Sequence, residues 1–333
     1  MIVTPTTANN AATCWIPELT MYSVMLPPLA RLLASDDSLV SRGYRRLQGL
    51  PPGSICTVPF STYAAYVDFH RALVPEYRRR EELEYKLIGA GDSFITEGRC
   101  HVCNHAATFT TNFDYAPGNI RNGKRVPNWR EHVICTRCGL NNRLRASVHF
   151  LERNLGCSEA ADIYMTEQST PLYHHMRQHY RNLIGSEFFG DRIAYGSNDP
   201  VTGYRNESVT KLTFADNSFD FVLSFDVFEH VPDYLSALRE SLRVLKPGGT
   251  LLFTVPFHKG LPSTLVRARF NDDGSIEHLE PPDYHGDPVN PEGGCLCFYT
   301  FGWDLLSQLR TLGFASAESH FYWSSRFGYL GGE

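Results

Sequence analysis

Two closely spaced cysteine pairs are the strongest chemical signal in the sequence. Cys100 and Cys103 form one C-x-x-C motif, and Cys135 and Cys138 form a second. Each C-x-x-C turn places two thiolates on one side of a loop, and two such turns can complete a tetrahedral zinc site. Gly139 follows the second pair, and glycine lets backbone amides approach the sulfurs. The pattern predicts a structural zinc site, because four thiolates leave no open coordination position.

Alternatives to this zinc site stay open. The four thiols could be unrelated or redox-active, and a nearby histidine could replace one cysteine. The candidates for that replacement are His101, His105 and His132. The other cysteines show no pairing in the sequence: Cys14, Cys56, Cys157, Cys295 and Cys297. Cys295 and Cys297 form a C-x-C motif, which we interpret as lining a core or a pocket.

Composition and charge narrow the class of protein. The chain has 333 residues, a net charge of −5 and a pI of about 6.2. This balance lacks the basic footprint of a nucleic-acid-binding protein. No apolar run approaches the ~20 residues that span a membrane, and residues 1–30 do not resemble a signal peptide. We therefore expect no membrane or nucleic-acid partner, and a reducing cytoplasm, because the paired cysteines suit metal better than disulfides.

The sequence pattern divides the chain into three predicted domains. Residues 1–97 are predicted to be mainly helical after a loose start, with a kink or break at Pro75. Residues 98–140 hold the cysteine pairs in short β-like segments. Residues 141–333 alternate strand and helix, which is typical of a parallel α/β sheet. A Pro/Gly-rich insertion at about 259–294 is predicted to form a lid.

Residues 212–257 give the clearest local prediction. The run FDFVLSF suits a buried parallel strand, and DVFEHVPD is the loop at its carboxyl end. Asp233 can cap the helix YLSALRESLRVL, which KPGG ends before the strand TLLFTVPF. Ligands of such sheets bind at the carboxyl ends of strands. Asp226, Glu229 and His230 are therefore expected on the ligand side.

The sequence resembles the class I S-adenosylmethionine-dependent methyltransferases in two segments, which have that family's order and spacing: FADNSFDFVLSFDVFEHVPD and LRVLKPGG. The resemblance covers roughly residues 160–257 and could continue to 330. CTRCGLNNRLRA is similar to a zinc-ribbon extension that precedes some such domains. The resemblance implies a Rossmann-like, doubly wound, mostly parallel sheet, preceded by a helical region and a small zinc module.

The resemblance also implies where S-adenosylmethionine would bind. The four places are the turn after the first strand, an acid that ends the second, an acid position facing the adenine, and the loop after the fourth strand. The turn reads MTEQSTP and lacks the usual glycines, so its side chains narrow the pocket. The implied cofactor residues are Glu167, Gln168, Ser169, Glu187, Glu207, Ser208, Phe225 and Asp226.

Methyl transfer to a hydroxyl group also requires a group that takes a proton, and histidine suits that task near neutral pH. The candidate catalytic residues are His230, His258, His285 and Tyr284. Each histidine could instead have a structural role.

The predicted function is methyl transfer to an O or N atom of a small molecule, such as a sugar or a natural-product precursor in biosynthesis. Two alternatives remain open at this point. A rebuilt cofactor site could catalyse another reaction, such as an elimination or cyclisation, or the fold could serve as a binding subunit. The N-terminal region could support a homodimer or contact a partner subunit.

Overall fold

The computed structural model describes residues 1–5, 55, 57–114, 116, 120–287, 289 and 292–331. The described strands are β1 (Ile2–Pro5), β2 (Thr57–Phe60), β3 (Ser93–Cys100), β4 (His105–Asn112), β5 (Ile120–Arg121), β6 (Lys124–Arg125), β7 (Ile134–Cys135), β8 (Asp162–Met165), β9 (Asn182–Gly185), β10 (Phe219–Phe225), β11 (Leu245–Thr254), β12 (Leu265–Val266), β13 (Ala268–Phe270), β14 (Ile276–His278), β15 (Tyr284–His285), β16 (Cys295–Leu296), β17 (Tyr299–Thr300) and β18 (Phe314–Tyr322).

The described α-helices are α1 (Tyr63–Ala72), α2 (Val74–Leu87), α3 (Asn142–His149), α4 (Pro171–His179), α5 (Tyr234–Val244) and α6 (Asp304–Leu312). A π-helix, Phe150–Asn154, continues α3, and short 3₁₀ helices lie at Gly190–Arg192 and Phe228–His230. In this part of the chain no helix combines the length and the apolarity needed to cross a membrane.

The chain forms two compact units. The first comprises Met1–Asn10, Ser61–Tyr63 and Ser158–Ser319, and the second comprises Ala11–Phe60, Ala64–Cys157 and His320–Glu333. The predicted boundaries at 97 and 140 both lie within the second unit. The division into three domains stays a prediction.

The first unit contains an α/β sheet with the strand order β18-β1-β11-β10-β8-β9. Strands β11, β10, β8 and β9 are mutually parallel, with Leu223 of β10 opposite Leu252 on one side and Met165 on the other. All three side chains are buried, as a strand covered on both faces requires. The predicted mostly parallel sheet is therefore confirmed in this unit.

Helices connect the parallel strands and bring their carboxyl ends to one edge of the sheet. Helix α4 links β8 to β9, and α5 links β10 to β11. The side chain of Thr170 accepts a hydrogen bond from the Tyr173 amide at the start of α4, and Asp233 does the same for Ser236 at the start of α5. These caps satisfy amides that the first helical turn leaves without partners.

Strand β1 corrects the prediction that the chain begins with a loose segment. Ile2 and Val3 pair antiparallel with β11 on one side and with β18 on the other. Both side chains are buried, and their branched apolar groups suit a central strand. The prediction failed because the partners lie at the far end of the chain. Residues 6–54, where further helices were predicted, lie outside the described residues.

The insertion at about 259–294 folds as short antiparallel ladders: β12 with β17, β13 with β14, and β15 with β16. Ala268, Leu296 and Phe298 form a small apolar core beneath them, and Tyr299 packs against it. The insertion thus has a packing centre of its own, which fixes the position of β15.

The second unit contains the sheet β3-β4-β7 and the helices α1 to α3. In the described part of residues 21–97, the helices α1 and α2 are accompanied by strands, with β2 before α1 and the start of β3 after α2. Pro75 stands in the first turn of α2, where a backbone N–H would have no partner within the helix. The helical segment is interrupted just before Pro75, between α1 and α2, as predicted. Phe94, Phe109 and Trp129 contribute to a hydrophobic core that includes Cys100 and Cys135.

Candidate functional site

The four predicted cysteine ligands lie together in the second unit. Cys100 ends β3 and Cys135 ends β7, and these strands flank β4. The sulfur of Cys100 lies 3.8 Å from that of Cys138, and the sulfur of Cys103 lies 3.9 Å from that of Cys135. All four sulfurs lie within 4.8 Å of one another. A tetrahedral ZnS₄ centre with 2.3 Å bonds separates its sulfurs by about 3.8 Å, so these residues fit zinc.

The surroundings favour negative charge on the sulfur of Cys100, whereas burial raises the pKa of Cys103 to about 11. Gly139 has φ +71°, and its amide donates to the Cys135 carbonyl in the turn of the second pair. The hydrogen bond shared with Cys138 lowers the pKa of Cys100 to about 5, and the fully buried Arg145 adds attraction. The alternative ligand His101 instead contacts Glu152, with 2.8 Å between Nε2 and Oε2.

The turn between β8 and α4 lies at the carboxyl edge of the sheet in the first unit. The amides of Gln168 and Ser169 both donate to Oε1 of Glu187, over 2.7 and 2.6 Å. Glu187 lies two residues after the end of β9, and its Oε2 accepts no hydrogen bond from the described residues. The hydroxyl of Ser169 is buried without a partner in the same part of the chain. The structure therefore brings three predicted cofactor residues together around one carboxylate.

A glycine does serve this turn, but it lies on the neighbouring strand. Gly185 ends β9, and a Cβ atom built on it would lie 2.6 Å from the carbonyl oxygen of Glu167 and would overlap the ring of Tyr173. The glycine-poor sequence of the turn is thus compensated by close approach of β9, which sequence reading along the turn alone did not find.

The residues predicted to face the adenine have other partners. Glu207 is buried, and its oxygens accept hydrogen bonds from Arg205 and Thr213. The hydroxyl of Ser208 shares a hydrogen bond with Thr210. A ligand that reached Glu207 would have to displace its ion pair with Arg205, and the adenine-facing role of Glu207 and Ser208 stays a prediction.

Phe225 and Asp226 stand at the end of β10. Phe225 is buried, whereas Asp226 is partly exposed and has φ +54°, a left-handed conformation that few residues other than glycine adopt. The hydroxyl of Thr254 donates to Oδ1 of Asp226 over 2.7 Å, and the Asp226 amide donates to the Thr254 carbonyl. Asp226 thus combines an uncommon backbone conformation with a side chain fixed by a hydrogen bond, and such residues at strand ends are often found in ligand sites.

Four side chains form a polar group that we call the Glu229 cluster: Glu229, His230, His285 and Cys297. Oε1 of Glu229 lies 3.5 Å from Nδ1 of His285 and 3.7 Å from Nε2 of His230. The sulfur of Cys297 lies 3.9 Å from Nδ1 of His230. Burial raises the pKa of Glu229, and the adjacent Glu229 raises the pKa of His285. Burial also raises the pKa of the Cys297 thiol.

The other candidate catalytic residues lie apart from these contacts. His258 is exposed, and its Nδ1 accepts a hydrogen bond from the Gly260 amide within its own turn. Tyr284 precedes His285 on β15 and is 55% exposed. The roles predicted for these two residues stay predictions.

Sequence reading did not include Glu229 and Cys297 among the site residues. Glu229 stood on the expected ligand side, but its complete burial could not be inferred from a loop sequence. Cys297 was interpreted as core or pocket lining, and it is indeed buried, yet its sulfur adjoins His230. The sequence signal for this cluster was the C-x-C motif of Cys295 and Cys297 close to the polar segment DYHGDP, residues 283–288.

Residues 168–253 match the model of a family described as "Methyltransferase domain". A demethylmenaquinone methyltransferase of Staphylococcus epidermidis is 58% identical over 41 residues, which is 12% of this chain and 17% of the relative. One from Listeria monocytogenes is 56% identical over the same length. The chain thus spans about a sixth of the length of the curated relatives that it matches. The matched segment contains Glu187 and Asp226.

Comparison with solved structures gives similarity of limited extent. An S-adenosylmethionine-dependent methyltransferase from Mesorhizobium loti has a TM-score of 0.30 at 17% identity, covering 49% of this chain and 78% of that one. A phosphoethanolamine N-methyltransferase 2 from Haemonchus contortus, in complex with S-adenosyl-L-methionine, has a TM-score of 0.26 at 13% identity, covering 60% of this chain and 53% of that one.

Proposed function

We propose that this chain transfers a methyl group from S-adenosylmethionine to an O or N atom of a small molecule. The observation that carries the proposal is a coincidence of position. The segment that matches a methyltransferase domain, 168–253, includes the polar residues Glu187 and Asp226, which follow the ends of β9 and β10. Ligands bind at that edge in open α/β sheets.

The residues around the turn fit the cofactor. Oε1 of Glu187 accepts hydrogen bonds from the turn, and its Oε2 would accept hydrogen bonds from the two ribose hydroxyls. The buried hydroxyl of Ser169 lacks a partner, and an unsatisfied buried group costs about 1–3 kcal/mol, so a polar ligand group there would be favourable. Glu167 and Asp226 would complete the site. When bound, S-adenosylmethionine supplies an electrophilic methyl group.

The Glu229 cluster would serve the acceptor. Methylation of a hydroxyl or ammonium group requires that a proton leave, and the cluster places imidazole and carboxylate groups beside Asp226 at the end of β10. The side chain of His285 is more exposed than that of His230, at 34% against 12%. The exposed ring of Tyr284 on the same strand would line an acceptor site. A sugar or a biosynthetic precursor with several hydroxyl groups would suit these polar groups.

Zinc bound by Cys100, Cys103, Cys135 and Cys138 would be structural. The four sulfurs fill a tetrahedral site and leave no open position for a substrate. Two of them belong to the core of the second unit, so the metal would stabilise that core.

Ligand-dependent thermal stability tests the cofactor assignment. We expect S-adenosylmethionine and S-adenosylhomocysteine to raise the melting temperature of the full chain, because a ligand at a hundred times its Kd stabilises by about 2.7 kcal/mol. Adenosine should act weakly, and NAD should have no effect. An equal effect of NAD, or no effect of either sulfur ligand on folded protein, would refute the proposed cofactor.

A further inference from the structure

The Glu229 cluster has the composition and spacing of a metal site. One nitrogen from each of His230 and His285 and the sulfur of Cys297 lie within 4.8 Å of one another. Ligand atoms of a tetrahedral zinc ion lie about 3.3–3.8 Å apart, so the three side chains would have to move closer together, with Nε2 of His230 turned towards the Cys297 sulfur, to surround an ion. Imidazole and thiolate are ligands that zinc and similar transition metals prefer.

The hydrogen bonding of His230 prepares it to act as a ligand. Its Nδ1 lies 2.9 Å from the carbonyl oxygen of Leu296. A carbonyl only accepts hydrogen bonds, so Nδ1, the nitrogen that lies 3.9 Å from the Cys297 sulfur, carries the proton, and Nε2 of the neutral ring has the lone pair that a metal ion would use. Metal-bound histidines commonly donate their other N–H to a backbone carbonyl in this way. Nε2 therefore faces Oε1 of Glu229 over 3.7 Å as one acceptor against another.

The surroundings of Glu229 independently favour a cation beside it. Its side chain is fully buried, and its contact with Nδ1 of His285, 3.5 Å from Oε1, is long for a hydrogen bond. Its neighbours are two histidines and the like-charged Asp226. A buried carboxylate without a cation or full hydrogen bonding is strongly unfavourable. A divalent ion beside it would remove that penalty and the repulsion from the lone pair of His230.

The backbone holds these side chains in place. The Phe298 amide donates to the Glu229 carbonyl over 2.8 Å, and the Cys297 amide donates to the Asp283 carbonyl over 2.8 Å. His285 pairs with Cys295 between β15 and β16. The 3₁₀ helix that carries Glu229 is thus joined by main-chain hydrogen bonds to the segments that carry the other residues, as a built site requires.

We propose that His230, His285 and Cys297, with the Glu229 carboxylate beside them, bind a divalent transition-metal ion, most suitably zinc. This metal is separate from the one at the four-cysteine site. Three protein ligands leave a coordination position open, as in catalytic rather than structural zinc sites. Metal binding stands by itself; use of the open position by a methyl acceptor rests on the proposed function.

Metal content per chain tests the proposal. The full chain would be equilibrated with zinc, desalted and analysed by inductively coupled plasma mass spectrometry. We expect about two zinc ions per chain in the wild type, and about one in His285→Gln and in Cys297→Ser. The matched controls are His278→Gln, an exposed histidine of β14, and Cys295→Ser, the neighbouring cysteine. Both controls should retain the wild-type content.

Cobalt substitution gives a second measurement on the same proteins. A thiolate bound to Co²⁺ produces an intense charge-transfer absorption, so Cys297→Ser should weaken this band while Cys295→Ser should not. Equal zinc content and equal cobalt spectra in wild type, His285→Gln and Cys297→Ser, with folding verified by circular dichroism, would overturn the proposal. S-adenosylhomocysteine binding by the wild type, measured separately, reports on the proposed function. Either proposal can therefore fail while the other holds.

Discussion

Gly185 shows how one residue permits the cofactor turn. Because a Cβ there would overlap Tyr173 and the Glu167 carbonyl, Gly185→Ala must displace the turn. We expect this variant to lower the free energy of unfolding by about 1–3 kcal/mol, as overpacking does, and to weaken S-adenosylhomocysteine binding. Urea unfolding and calorimetry measure the two effects. Gly286→Ala is the control, since a Cβ there meets open space. Equal unfolding free energies and equal S-adenosylhomocysteine affinities of the two variants would contradict the claim that the turn requires glycine at position 185.

Asp226 tests the strain at the end of β10. Asparagine tolerates the left-handed conformation and retains an oxygen for Thr254, whereas alanine does neither. Asp226→Ala should therefore be about 1–2 kcal/mol less stable to urea than Asp226→Asn. Similar unfolding midpoints and slopes for the two variants would show that the backbone relaxes and that no strain is held there.

At the scale of elements, a group of ion pairs connects three strands, β8, β10 and β11, at the sheet edge away from their carboxyl ends. Nζ of Lys246, on β11, lies 2.6 Å from Asp162 of β8 and 3.0 Å from Asp220 of β10. Its hydrogen bond lowers the pKa of Asp162, and the two acids raise the pKa of Lys246. All three side chains are about a third exposed or more, so solvent screening limits the contribution of this group to stability.

Lys246→Met should lower the free energy of unfolding by about 0.5–1 kcal/mol at neutral pH. Because the folded-state pKa of Asp162 is depressed, its contribution is present above the pKa of the unfolded chain and is lost as pH falls through the folded value. The difference between variant and wild type should thus shrink on acidification. Urea titrations across pH, with the exposed Lys211→Met as control, measure it. A difference that grows towards acid pH would rule out this cause.

Elements differ in how far the sequence predicted them. The segment β10–α5–β11 was predicted because its apolar run, its capping Asp233 and its turn are local signals. Strand β1 was missed because four residues carry little pattern and their partners lie far away in sequence. In the Glu229 cluster, His230 and His285 were predicted as candidate catalytic residues, but Glu229 and Cys297 were missed, because the contacts join positions that are distant in sequence. His230 and Cys297 are separated by 67 positions, and only the fold of the insertion brings them together.

For the whole molecule, the two compact units have separate chemistry. The second unit would depend on zinc at its four cysteines, because the metal joins β3, β7 and the turn after β7. Cys138→Ser should lose about one zinc ion per chain and melt at a lower temperature. Cys157→Ser, a partly buried cysteine outside the four, is the control. Zinc content is measured by metal analysis and the melting temperature by calorimetry. If both variants had the zinc content and melting temperature of the wild type, zinc would have no structural role at these cysteines.

The most direct test of methyl-transfer function is a calorimetric titration of S-adenosylhomocysteine into the wild type, Glu187→Gln and Glu159→Gln. Glu159 is an exposed acid before β8, at the opposite edge of the sheet. We predict micromolar binding to wild type and to Glu159→Gln, and affinity lower by about tenfold or more in Glu187→Gln, because a charge-assisted hydrogen bond is lost. Absence of binding to folded wild-type protein, or equal affinity in all three, would contradict a cofactor site at this turn.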